Sequence, residues 1–177
     1  MRKNVTILLL ALMILSAGTA YAKLYNGYRQ QYNNTLYCFN TTMPDAWKQS
    51  VINAANSWSN AGADFSFYND STSSNLWGTV NSGNNGIEAL ATCWVMPFTH
   101  IISKTEANFN TYYSFSTDGT NGNYDVESVA LHEFGHWLSL MDDRDNSNSI
   151  MYYRDIGVIR ALTQGDKNEI IAIYGRR

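Results

Sequence analysis

The sequence predicts an α/β (α+β) domain in which a twisted mixed sheet of about five strands carries three main helices. Three observations lead there. Short strand-like runs bounded by Gly, Asn, Ser and Thr fill the middle of the chain. Apolar residues recur at helical spacing in three separate stretches, two of them at the C-terminal end. No repeat, Pro-rich linker or long charge run divides the 177 residues, so one core is expected.

Arg2 and Lys3, the apolar run from Val5 to Ala17 and the small residues of Ala20-Tyr21-Ala22 make residues 1–22 a signal peptide cut before Lys23, leaving residues 23–177 as the folded domain. The alternative is an uncleaved anchor, for which the run is shorter than the ~18 residues a span needs. Thr35 to Asn40, TLYCFN, reads as a strand. Pro44 suits the first position of a helix, along which Trp47, Val51, Ala54, Ala55 and Trp58 share a face up to Asn60-Ala61-Gly62. Phe65-Ser66-Phe67 alternates like a strand. Residues 69–86 are polar and read as loop, with a short strand around Trp77 to Val80. Ala89 to Val95 and Ile101 to Asn110 are two further strands. The stretch TDGTNGNYD ends at Asp125, a good N-cap for the helix that follows. Thr163 opens the last helix, and Gly175 closes it after Tyr174.

Without Arg2 and Lys3 the chain has ten basic and fifteen acidic side chains, a net charge of −5. That balance, with no basic cluster, argues against a nucleic-acid partner. Cys38 and Cys93 are the only cysteines; outside the cytosol an even pair is expected to form one disulfide, the alternative being two buried thiols. A thiolate holding a metal in a latent form would want a cysteine in a pro-segment, and none is expected between Ala22 and the first strand.

The chemistry concentrates in ALHEFGHWLSLMDD, residues 130–143. Positions i and i+4 share one helix face, so His132 and His136 can point ring nitrogens at one metal. Glu133 is rotated about 100° from His132, which puts its carboxylate beside such a metal, where a general base is wanted. Val129, Ala130, Leu131, Phe134, Trp137, Leu138, Leu140 and Met141 make the helix too apolar for a solvated face. A buried His-Glu-His cluster needs pairing or a metal.

These residues resemble the metzincin metallopeptidases, most closely the matrixin-like branch, whose pattern is HExxHxxGxxH followed by a turn that contains methionine. Here HEFGHWLSLMD is followed by SIMYY, in which Met151 corresponds to the Met-turn methionine. YCFN, the Trp47 helix, SKTEANFN, YDVESVALHEFGH and LTQGDKNEIIAIYG also follow the family's elements in order. The resemblance implies a metzincin-like zincin catalytic domain and a zinc endopeptidase with Glu133 as general base; the signal peptide makes it a secreted protein, and a monomer is expected. It implies an extended peptide substrate paired with an edge strand that SKTEANFN would provide; cleavage of the signal peptide would leave no membrane partner. A tyrosine two residues past the methionine can reach the metal in astacins and serralysins, so Tyr153 is a candidate for stabilising the oxyanion.

Two departures concern the metal. Ser139 stands where the family has glycine, and Asp142 where it has the third histidine. Serine takes φ > 0 only at a cost, so the bend that ends the helix is free to fall elsewhere. Asp142 can still ligate through oxygen, as in the small secreted proteases resembling snapalysin. Asp143 and, in a thermolysin-like layout, Glu169 are the alternatives. His100 lies upstream between strands, at a cleft rim or on ordinary surface. Calcium has weak support, from the oxygen-rich loop between Asp118 and Asp125. Two further readings remain: an inactive zinc-binding secreted protein, and a zinc hydrolase acting on cell-wall peptides or small amides.

Overall fold

The computed structural model describes residues 26–154 and 157–177. The expected signal peptide, residues 1–22, lies outside them. The chain runs β1 (Arg29–Gln30), β2 (Asn34–Phe39), α1 (Asp45–Ser59), β3 (Ser66–Asn69), β4 (Leu76–Val80), β5 (Ala89–Val95), β6 (Ile101–Asn110), β7 (Phe115–Ser116), β8 (Tyr124–Asp125), α2 (Val126–Trp137) and α3 (Gln164–Tyr174). The strand-like runs and all three helices stand where the sequence puts them. The two-residue strands β1, β7 and β8 are too short to leave a periodic signal.

Six strands form the main sheet. β2 pairs in parallel with β3 and β4, and β4 with β6, while α1 provides the crossover between β2 and β3 that a parallel pair requires. β1 adds to the first two residues of β6. β5 lies antiparallel along β6, from Ala89 opposite Phe109 to Val95 opposite Ile102. SKTEANFN is therefore not an edge: its residues from Glu106 to Phe109 are paired with β4 on one side and β5 on the other, and the free edge at this end of the sheet belongs to β5. A strand-like stretch cannot show which of two neighbouring strands ends up outermost, because pairing order is a tertiary property.

The sheet topology also overturns the disulfide. Cys38 on β2 and Cys93 on β5 are separated by β4 and β6, so three interstrand spacings of about 4.8 Å put them far beyond the ~7 Å a bridge can span. Both are free thiols: Cys38 Sγ donates to the Ser73 carbonyl at 3.2 Å and Cys93 Sγ to the His136 carbonyl at 3.7 Å.

The core is aromatic. Trp58, Trp77, Trp137, Phe65, Phe109 and Phe134 are all fully buried. Phe134 meets Tyr37, Phe67 and Trp77 at centroid distances of 5.4, 4.6 and 4.9 Å, so one face of α2 is locked onto the sheet. Trp58 of α1 donates its indole N–H to the Leu131 carbonyl at 2.8 Å, fixing the helix pair. α2 starts where Asp125 accepts from the Ser128 amide at 2.9 Å. α3 carries a full capping box between Thr163 and Asp166. Packing on this face leaves the opposite face of α2 beside β5, and the main cleft lies between them.

Candidate metal centre

One turn of α2 brings His132 Nε2 within 3.1 Å of His136 Nε2. Each ring is aimed by a backbone carbonyl: His132 Nδ1–H donates to Ile150 at 2.8 Å and His136 Nδ1–H to Leu140 at 2.8 Å. That tautomer leaves both Nε2 lone pairs directed at a common point, as metal-binding imidazoles require.

The helix end then delivers the third group. Leu138 caps α2, and Ser139 takes φ 76°, so the bend falls at the serine itself and not elsewhere. The Ser139 amide donates to the His136 carbonyl at 2.9 Å and the Leu140 amide to that of Gly135 at 3.0 Å, the pair of bonds that defines a Schellman turn. This turn points the Leu140 carbonyl back at His136 and throws the following residues over the histidines. Asp142 Oδ1 arrives 3.3 Å from His132 Nε2 and 3.5 Å from His136 Nε2.

A zinc ion with bonds of about 2.0–2.2 Å at tetrahedral angles separates its ligand atoms by about 3.3–3.6 Å. The triangle of two nitrogens and an oxygen is within a few tenths of an ångström of that spacing. Among the described residues it is the one group of three His, Cys, Asp or Glu side chains close enough to hold a metal. Asp143 is turned away: it is buried, and its carboxylate accepts from the Asp145 and Asn146 amides at 2.9 and 3.3 Å. Its main chain bonds to Met151 and Tyr153, tying the loop to the turn beneath the histidines. Glu169 sits on α3 and is not part of the cluster. His100 is exposed in the β5–β6 connection and stacks on Tyr28 at 5.9 Å, away from the cluster.

The electrostatics suit a cation. Burial pushes the His132 imidazole down, but the Asp142 carboxylate, the Glu133 charge and the Ile150 carbonyl outweigh it and raise its pKa to about 9. The Asp142 and Glu133 carboxylates that produce this shift also make the site attractive to a divalent cation. The Asp142 carboxyl is held below its usual range, chiefly by the hydrogen bond to His132. Burial and the Glu133 charge push the Cys93 thiol up to about 11, so it lines the cleft as a neutral group.

Glu133 is 5 % exposed, and its Oε2 has no hydrogen-bond partner among the described residues. A buried carboxylate oxygen left open in a cleft is costly unless something binds there. The cleft is about 600 Å³ and is lined by the cluster, Glu133, the start of β5, Ser128, Val129, Tyr152, Tyr153, Arg154 and Ile159.

Met151 is fully buried under the histidines. Gly135, between them on α2, has no Cβ because one would overlap Met151 Sδ. Sequence reasoning missed this glycine, although a small residue inside the motif was its signal. The orienting carbonyls of Ile150 and Leu140 have no sequence signal, since every residue carries one. The loop weighed for calcium spends its carboxylates on protein donors: Asp118 on the Thr120 amide and hydroxyl, Asp125 on Ser128 and Arg160.

A comparison with curated proteins found no match. The family model described as matrixin matches residues 31–175, a span that includes every element from β2 to α3 and the whole metal cluster. The order of strands and helices, the histidine pair on one buried helix and the methionine beneath it agree with that match, and the chain belongs to the matrixin family of zinc-dependent metallopeptidases.

Proposed function

We propose that this protein is a secreted zinc endopeptidase in which His132, His136 and Asp142 hold the metal and Glu133 is the general base. Matrixins are usually extracellular, and no helix of the described residues is long and apolar enough to cross a membrane. One observation carries the assignment: three donor atoms stand 3.1–3.5 Å apart beside the unpartnered Glu133 Oε2. When bound, zinc supplies a Lewis acid for the scissile carbonyl and lowers the pKa of a water to about 7. Glu133 takes up the proton released and passes it to the leaving amine. Tyr153 lines the cleft, its hydroxyl free of hydrogen bonds among the described residues, and donates to the developing oxyanion. The free edge of β5 pairs with the main chain of an extended peptide and holds its carbonyl in place.

The test is cleavage of casein or a quenched peptide library by the mature protein. Cleavage abolished by a chelator and restored by zinc is expected. Glu133→Ala should keep its zinc and lose kcat by at least about 100-fold, and Tyr153→Phe should lower kcat by roughly tenfold with KM unchanged. A Glu133→Ala variant as active as the parent would remove the proposed base.

A further inference from the structure

The chain is acidic, yet one wall of the cleft is not. Arg154 lines it, and its guanidinium lies 4.8 Å from the centroid of the Tyr153 ring. Arg144, from the loop beyond Asp142, approaches the same ring at 5.7 Å. Neither guanidinium makes an ion pair among the described residues, whereas Arg160 is paired with Asp125 and Arg177 is held by Ser66 and backbone carbonyls. Tyr153 is 38 % exposed, packed edge-on against Tyr152 at 4.9 Å, and its ring is a shared cation–π partner for both arginines. Of the cleft's carboxylates, Asp142 feels the Arg144 charge from the metal-site loop, Glu133 stands beside the histidines and Glu88 lies just before β5, and none forms an ion pair with either guanidinium among the described residues.

Two guanidiniums on one aromatic ring, neither in an ion pair among the described residues, suit a carboxylate, because the planar fork matches its two oxygens. We propose that this rim makes the protein select peptides with an aspartate or glutamate side chain at the substrate position lying against Tyr153 and Arg154. The proposal rests on the peptidase reading above and narrows its substrate class. The cleft lining also includes Val129, Ile150 and Ile159, with Ser128, Ser149 and Tyr152 as neutral polar groups, so a positive charge to meet a carboxylate comes from the rim.

The experiment uses C-terminally amidated quenched peptides of one neutral sequence, with Glu or Gln placed in turn at each position around the scissile bond. Cleavage is measured for the parent, Arg154→Gln, Arg144→Gln and Arg154→Lys. Affinity for the same peptides is measured by fluorescence anisotropy on zinc-loaded Glu133→Ala. At one position Glu should be favoured about fivefold or more, through KM and not kcat, with the preference shrinking as salt rises. Arg154→Gln should bring the Glu/Gln ratio close to one, Arg144→Gln should reduce it, and Arg154→Lys should keep part of it. A ratio of one at every position in both cleavage and binding overturns the proposal, as does a preference that survives both glutamine variants. Tighter binding for a free C-terminal carboxylate, without any for a glutamate side chain, also overturns it. If no peptide is cleaved but Glu133→Ala still binds the Glu peptide more tightly, the carboxylate subsite stands and the peptidase reading fails.

Discussion

At the residue scale, Asp142→Ala should lower zinc affinity by at least about 100-fold, measured by competition with a chromogenic chelator. Loss of a partner behind a ligand already costs 10–100-fold, and Asp142 Oδ1 stands directly against both imidazoles. Glu169→Ala, on α3 outside the cluster, should leave the affinity unchanged. The reverse pair of results would assign the third ligand to α3. Ser139 carries a different burden. Its φ of 76° strains a residue with a Cβ, and its buried hydroxyl has no partner among the described residues. Ser139→Gly should therefore raise stability by about 1 kcal/mol in urea unfolding, relief of strain and of the buried hydroxyl exceeding the added chain entropy of glycine. A loss of stability would mean that the hydroxyl is bonded after all.

At the element scale, the position of α2 depends on its N-terminus. Asp125 is buried, caps Ser128 and pairs with Arg160, while the Ser128 hydroxyl accepts from the Ile159 amide at 2.8 Å. One carboxylate thus joins the helix of His132 and His136 to the segment that carries Ile159 at the cleft. Burial pushes its pKa up, but the hydrogen bonds from Arg160 and Ser128 outweigh that and leave it lowered. A folded-state pKa below the unfolded one stabilises the fold above the unfolded value, about 4, and the contribution is lost as pH falls through the folded value. Arg160→Gln should cost about 2 kcal/mol at pH 7. The gap from the parent should narrow as pH drops below about 4; a gap constant down to pH 2 would assign the loss to packing alone.

At the scale of the whole molecule, the sheet decides what the cysteines do. With β4 and β6 between Cys38 and Cys93, both thiols should react with a thiol reagent after unfolding without reductant. Reductant should leave the melting temperature unchanged. Detection of an intramolecular disulfide by mass spectrometry would contradict the strand order. The same order makes β5 the open edge beside α2, so the cleft is a product of two elements about forty residues apart in sequence.

The sequence alone carried the three helices, the longer strands, the His132 and His136 pair and the neighbouring Glu133, because periodicity, caps and i,i+4 spacing are local properties; Met151 stood out only through the resemblance to the metzincins. It also named Asp142, but left Asp143 and Glu169 beside it. Three things waited on the tertiary structure: which carboxylate turns toward the histidines, which strand lies outermost, and whether two distant cysteines meet. Each depends on where a turn or a sheet places groups remote in the chain, and only the packed fold, through the left-handed Ser139 and the order β2-β4-β6-β5, sets those distances.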